Sequence, residues 1–105
     1  MSRNITVLNE NNFDKFIEKG SVIIDFYADW CNPCKIMAPH FERASEEIKG
    51  VKFGKVNIEK NQDIAGRFEV MSIPTTILFK DKEQIERFSG AMSLKDIKEM
   101  AEKGS

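Results

Sequence analysis

Cys31 and Cys34, the only two cysteines in the chain, stand three residues apart in Trp30-Cys31-Asn32-Pro33-Cys34-Lys35. An apolar run, Val22 to Ala28, stops just before them, and a helical pattern begins at Pro33, a residue type favoured in the first turn of a helix. Residues i and i+3 share a helix face with Cα atoms roughly 5 Å apart, inside the ~4.4–6.8 Å that a disulfide spans. A bond between the two sulfurs can therefore form and break with little backbone movement. Cys31, at the helix start, meets the positive end of the macrodipole and backbone N–H groups without intrahelical partners, both of which favour thiolate over thiol. A free thiol of pKa ~8.5 is only about 3% ionised at pH 7, and half ionisation there takes ~2 kcal/mol. The dipole typically supplies ~0.3–1 kcal/mol, so hydrogen bonds to the sulfur must add to it. Cys34, one turn further in, is the natural resolving partner.

Three other uses of such a pair compete with redox chemistry. As a structural staple it closes a loop so short that the chain-entropy model gives only ~2 kcal/mol, against ~4.7 for about 100 residues. A zinc site needs four ligands, and the remaining candidates are His40 and scattered carboxylates, so only a dimer could complete the set. Two unconnected buried thiols would leave Pro33 and Trp30 beside the pair without a purpose. Thiol–disulfide exchange is the reading the spacing favours, with no metal. His40 falls on the exposed side of the helix and reads as a solvated residue.

The elements that must position the pair follow from periodicity. The 105 residues, 41% hydrophobic and with eight Phe, suffice for one compact core, so residues 1–105 are expected to form a single domain. Ile5 to Leu8 reads as a short strand, and Asn11 as the cap of a helix with Phe13, Phe16 and Ile17 on its apolar face and Gly20 at its end. Val22 to Ala28 is apolar on both faces except at Asp25, the mark of a central parallel strand covered by helices on each side. Parallel pairing demands a crossover helix, and Pro33 to Ile48 provides it through Met37, Phe41, Ala44 and Ile48, with a kink expected at Pro39. Val51 to Ile58 is the next strand, and Asn61 to Phe68 a short helix packed through Ile64, Ala65 and Phe68. Pro74 opens a strand through Phe79, Asp81-Lys82 turns the chain into Gln84 to Phe88, and Thr76 to Phe79 pairs with Ile85 to Phe88 as a hairpin. Ser93 and Asp96 form a capping box for a last helix that packs through Leu94, Ile97 and Ala101. The expected class is α/β in the order β-α-β-α-β-α-β-β-α, with Cys31 at the carboxyl end of the central strand, where open α/β sheets bind ligands. Asp25 breaks the pattern, because a carboxylate inside a buried strand loses hydration unless it is neutral or paired. Lys55 alternates with Phe53 and so points inward from the neighbouring strand.

A net charge of −1 with 31% charged residues of both signs argues against a nucleic-acid surface or an anionic membrane as main partner. Ile5 to Leu8 is too short for a signal-peptide core, and no run approaches transmembrane length. A soluble, cytoplasmic protein is expected, and in a reducing cytosol a lone Cys-x-x-Cys is more often catalytic than structural.

The stretch Asp25-Phe26-Tyr27-Ala28-Asp29-Trp30-Cys31-Asn32-Pro33-Cys34-Lys35 resembles the active-site segment of the thioredoxin family. Ser72-Ile73-Pro74-Thr75 followed by Ile77-Leu78-Phe79-Lys80 resembles the family's proline-containing strand, and Ser89-Gly90-Ala91 its late glycine loop. The resemblance covers nearly the whole chain in the right order. It implies the thioredoxin fold, a central mixed β-sheet flanked by helices on both faces. It also implies reduction of protein disulfides, with Cys31 as nucleophile, Cys34 as resolving thiol and Pro33 between them. Asp25 would be the buried acid that assists proton transfer at Cys34, and Lys55 its partner. Ile73-Pro74 would be a cis bond facing the cysteines, and Trp30, Ile58, Ile73, Pro74, Gly90 and Ala91 the surface on which a substrate strand lies. A flavoprotein thioredoxin reductase would be the electron donor and disulfide-containing proteins the substrates. The expectation is a monomer with no cofactor beyond the Cys31–Cys34 pair. A disulfide oxidase, an isomerase or a glutaredoxin-like protein would use the same chemistry, but these usually carry His or Tyr where Pro33 precedes Cys34. A redox-sensitive binding module without turnover is the alternative of a different class.

Overall fold

The computed structural model describes residues 4–105. Its centre is β2 (Ser21–Tyr27), buried along almost its whole length, as an apolar run on both faces requires. On one side β2 pairs in parallel with β3 (Val51–Asn57), which pairs in parallel with β1 (Ile5–Val7). On the other side it pairs antiparallel with β4 (Thr75–Lys80), whose outer neighbour is the antiparallel β5 (Glu83–Ser89). The sheet order is β1-β3-β2-β4-β5. Strand alternation divides the core between two faces. Ile23, Phe53 and Leu78 pack under Met37, Phe41 and Ala44 of α2 (Asn32–Glu47) and Ile97, Met100 and Ala101 of α4 (Leu94–Glu102). Val22, Ile24, Phe26, Ile77 and Phe79 pack against Phe13 and Ile17 of α1 (Phe13–Ile17) and Ile64 of α3 (Gln62–Arg67). The mixed sheet with helices on both faces is therefore as the sequence implies. The capping box is also present: Ser93 Oγ accepts the Asp96 amide and Asp96 Oδ2 accepts the Ser93 amide, each at 3.1 Å.

Two local features, the α1 cap and the hairpin register, differ from the sequence reading, and two others, the turn conformation and Gly104, lay beyond it. The N-cap of α1 is Asn12, not Asn11, and its side chain makes no capping bond. The neighbouring asparagines fold the preceding turn instead: Asn9 Oδ1 accepts the amides of Asn11 and Asn12, and Asn12 Oδ1 accepts that of Asn9. Asn side chains bond local backbone this way in competition with a cap. The β4–β5 turn has both Asp81 and Lys82 at positive φ, 49° and 80°, the backbone of a type I′ hairpin turn that usually calls for Asn or Gly. Its support is tertiary, since Asp81 Oδ1 accepts the Gly20 amide at 2.8 Å while the Asp81 amide donates to the Gly20 carbonyl at 3.0 Å. The hairpin register begins as expected at Thr76↔Phe88, but a bulge between Leu78 and Phe79 pairs Phe79 with Gln84 and leaves Ile85 unopposed. Finally Gly104, at a terminus from which the sequence reading drew nothing, is buried, and its carbonyl accepts from Ser21 Oγ at 2.6 Å and Lys80 Nζ at 3.0 Å.

The layer of α1 lies so close to β3 that Gly54 has no room for a side chain. A Cβ there would stand 2.7 Å from Leu8 Cδ1, 2.9 Å from Phe16 Cε2 and 3.1 Å from Ile24 Cδ1. Gly54→Val is expected to destabilise the fold by about 1–3 kcal/mol through overpacking, more than Gly54→Ala does. Urea denaturation reads this as a lower midpoint at unchanged slope, and an unchanged midpoint would contradict the packing described.

Candidate active site

The chain leaves β2 at Tyr27 and crosses to α2 through Ala28, Asp29 and Trp30, with the Cys31 amide donating to the Ala28 carbonyl at 3.3 Å. Cys31 is the N-cap of α2, in an extended conformation, and Pro33 lies in the first turn, where its missing N–H costs no helical bond. Cys31 Sγ accepts the backbone N–H of Cys34 at 3.2 Å. That N–H is one of the donors a helix start leaves unpaired, so the sulfur has taken the position a capping side chain would occupy. The two cysteines are joined by a disulfide with Cα atoms 5.3 Å apart, the separation their spacing requires. In the reduced state the same N–H and the same helix end favour a thiolate at Cys31.

Asp25 lies beneath the pair, 5% exposed in the middle of β2. Burial pushes its carboxyl up to about 7, and the positive charge of Lys55 works in the opposite direction. Asp25 and Lys55 are register partners across β2 and β3, so their side chains leave the sheet on one face. They share a cleft of about 220 Å³ with Tyr27, Cys34, Lys35 and Glu42. The Lys55 ammonium rests 5.2 Å from the centroid of the Tyr27 ring, and it influences Asp25 through its charge. Burial, followed by the charges of Asp29 and Asp25, raises the Tyr27 phenol above its ordinary range.

Of the expected rim residues, Ile58 and Ile73 join Tyr27, Ala28 and the two cysteines in one apolar cluster. The Ile58 amide donates to the Tyr27 carbonyl at 2.9 Å. The Ile73-Pro74 bond is cis, and the Ile73 carbonyl oxygen lies 3.8 Å from Cys31 Sγ. Gly90, at a φ of 120°, donates its amide to the Pro74 carbonyl at 2.8 Å, which ties the late glycine loop to the proline strand. Trp30 and Ala91 stand outside that cluster and reach solvent, Trp30 with 63% of its surface. His40 is exposed on α2.

Sequence reasoning missed two partners. Glu59 Oε2 accepts the Trp30 indole N–H at 2.7 Å and holds the ring beside the disulfide; Asn57 Oδ1, accepting the amides of Glu59 and Lys60, shapes the turn that presents it. Thr76, opposite Asp25 in the β2–β4 pair, looks in sequence like any β-branched strand residue. Neither could be found without knowing which strands adjoin.

The family model described as Thioredoxin matches residues 4–103. The chain is 44% identical over 86 residues to the thioredoxin of Chlamydia pneumoniae, covering 82% of this chain and 84% of that one. Among solved structures it is similar to a mutant thioredoxin from Halobacterium salinarum, with a TM-score of 0.89 and 29% identity, covering 99% of this chain and 94% of that one. It is also similar to mitochondrial thioredoxin 3 of Saccharomyces cerevisiae in its oxidised form, with a TM-score of 0.86 and 35% identity over 93% of each.

The raised pKa of Asp25 makes stability depend on pH with a definite sign. Below pH ~4 the carboxyl is protonated whether the chain is folded or not. As pH rises towards 7 the unfolded chain ionises while the folded one holds its proton, and folding loses about 1.4 kcal/mol per pH unit. The advantage of Asp25→Asn in the oxidised protein is therefore expected to grow between pH 4 and pH 7, by up to roughly 4 kcal/mol, and to level off above. Urea midpoints across this range check it. A difference independent of pH would mean that Asp25 titrates like a surface carboxylate.

Proposed function

The chain belongs to the thioredoxin family, and from that premise we propose a division of labour in which Cys31 attacks, Cys34 resolves and Asp25 moves the proton. The reaction class itself is that of the family: the protein is a thiol–disulfide oxidoreductase that reduces disulfide-containing substrates through its Cys31–Cys34 pair. In the first step the Cys31 thiolate attacks one sulfur of the substrate disulfide, forming a mixed disulfide and releasing the other substrate sulfur as a thiolate. In the second, the Cys34 thiol gives its proton to the Asp25 carboxylate and attacks Cys31 Sγ. The mixed disulfide breaks, the Cys31–Cys34 bond forms, and the second substrate thiolate leaves and takes a proton. Two electrons have then passed to the substrate together with the one proton that left Cys34, handed on by Asp25; the substrate thiolate released in the first step takes its proton from water.

The observation that carries this assignment is the Cys34 amide aimed at Cys31 Sγ, which favours the thiolate at Cys31 and not at Cys34. Cys34, deeper in the helix and lining the same cleft as Asp25 and Lys55, is the thiol with a base beside it. Lys55 limits how far burial can raise that base. Pro33 starts the helix that presents both sulfurs. A substrate segment lies extended beside Ile73 and Pro74, pairing with the backbone as an added strand. Its side chains rest on Trp30, Ile58, Gly90 and Ala91.

The oxidised pair is returned to the dithiol by a flavoprotein thioredoxin reductase. Because dithiol exchange moves both electrons between sulfurs, the cycle calls for no cofactor within this chain. Among the described residues no helix is long and apolar enough to cross a membrane, and a monomer in the reducing cytoplasm suits a carrier that meets many partners.

With a disulfide-bearing protein as substrate, Cys34→Ser should accumulate a mixed disulfide through Cys31, at least tenfold more than Cys31→Ser does. Non-reducing gels and intact-mass measurement read the adduct. Equal trapping by both variants would reverse or abolish the assignment.

A further inference from the structure

Among the described residues, two buried side-chain atoms have no hydrogen-bond partner, and they belong to facing residues: Asp25 Oδ1 and Thr76 Oγ1. Asp25 and Thr76 are direct register partners in the antiparallel β2–β4 pair. Two positions back along β2 and on along β4, the facing pair Ile23 and Leu78 sits in the core cluster under α2. Since side chains alternate along a strand, Asp25 and Thr76 stand on that same face, below the helix that carries Cys34. Cβ atoms of directly opposed residues lie roughly 4.5–5.5 Å apart, close enough for a hydroxyl to reach a carboxyl by side-chain rotation. Thr76 is 0% exposed, so bulk water does not serve it in place of a protein partner.

We infer that Thr76 is a positioning residue for proton transfer: its hydroxyl donates a hydrogen bond to the Asp25 carboxylate and holds it ionised and oriented towards Cys34. The inference deepens the proton-transfer role proposed above for Asp25 and rests on it. A hydroxyl suits the place because it both donates and accepts. It can donate to the carboxylate that waits for the Cys34 proton, and accept from the carboxylic acid once that proton has arrived. The other groups facing Asp25 do not duplicate it. Lys55 on β3 offers its charge and stacks on Tyr27. Asp29, just beyond β2, and Glu42 on α2 are acids that share the cleft, where Lys35 on α2 supplies a second cation. Ile5, from β1, is apolar. If Thr76 were only a β-branched strand former, valine would serve as well.

Thr76→Val keeps the shape and removes the hydroxyl, Thr76→Ser keeps the hydroxyl, and Thr76→Ala is a second hydroxyl-free variant should valine disturb folding. The first readout is the pH titration of the Asp25 carboxyl carbon by NMR in oxidised and reduced protein. Without the hydroxyl the Asp25 midpoint is expected to rise by about one pH unit, a tenfold change in its dissociation constant, and Thr76→Ser is expected to restore it. The second is the single-turnover rate at which Cys34 resolves a mixed disulfide between Cys31 and a fluorescent peptide thiol. That rate should fall severalfold at pH 7 in Thr76→Val and recover towards pH 8.5, while the rate of Cys31 attack stays the same. An Asp25 midpoint unmoved in both hydroxyl-free variants, or not restored by serine, overturns the inference. If Asp25→Asn leaves resolution as fast as in the parent, the proton-transfer role of Asp25 fails instead, and the carboxyl titration still decides separately whether Thr76 contacts Asp25.

Discussion

The backbone N–H of Cys34, aimed at Cys31 Sγ from the first turn of α2, is the contact on which the proposed chemistry depends. Half ionisation of an ordinary thiol at pH 7 takes ~2 kcal/mol. A helix end gives ~0.3–1, and a hydrogen bond to a charged group ~1.5–3. Dipole and hydrogen bond together reach what neither supplies alone with margin. Both act only over the first turn of a helix, so the sulfur must be held there firmly. That is the work of Met37, Phe41 and Ala44, which seat α2 on Ile23, Phe53 and Leu78 of the sheet. With only Ala28, Asp29 and Trp30 between the end of β2 and Cys31, the rigid part of the molecule extends almost to the reacting atom.

The same rigidity buries Asp25. A carboxylate in a strand enclosed on both faces is costly, and the opposing charge of Lys55 offsets only part of that burial. The outcome is an acid whose two protonation states are near balance at neutral pH, which is the condition for exchanging a proton with a neighbouring thiol. An uncharged residue in its place would give a more stable sheet at neutral pH. Asp25, Cys34, Lys55 and Glu42 line one cleft.

Around the sulfurs, residues distant in sequence are fastened by single hydrogen bonds. Trp30 is held by Glu59, and Gly90 by Pro74. Arg87 on β5 donates to the carbonyls of Phe68 and Glu69, in the loop that leads to Ile73. The rim is thus assembled from the ends of several strands, each positioned by the sheet below it.

The sequence alone determined the features that arise within a few residues of one another. Three-residue spacing puts two sulfurs on one helix turn, an apolar run marks a strand covered on both faces, and Ser93 with Asp96 closes a cap; these depend on local geometry that neighbours in the chain impose. The family resemblance extended that reading to a central mixed sheet with helices on both faces. The tertiary structure decided what depends on partners far along the chain. Asn11 reads as the cap of α1, but the helix starts after Asn12, and the side chains of Asn9 and Asn12 shape the turn before it. Asp81 and Lys82 adopt positive φ where Gly20, 61 residues away from Asp81, binds the turn from across the fold. Ile85 falls at a bulge, Glu59 reaches Trp30, and Thr76 comes to face Asp25. Local preferences are worth tenths of a kcal/mol per residue and say little about register. Register is set when whole faces pack, because a slip of one residue would turn every buried side chain outward.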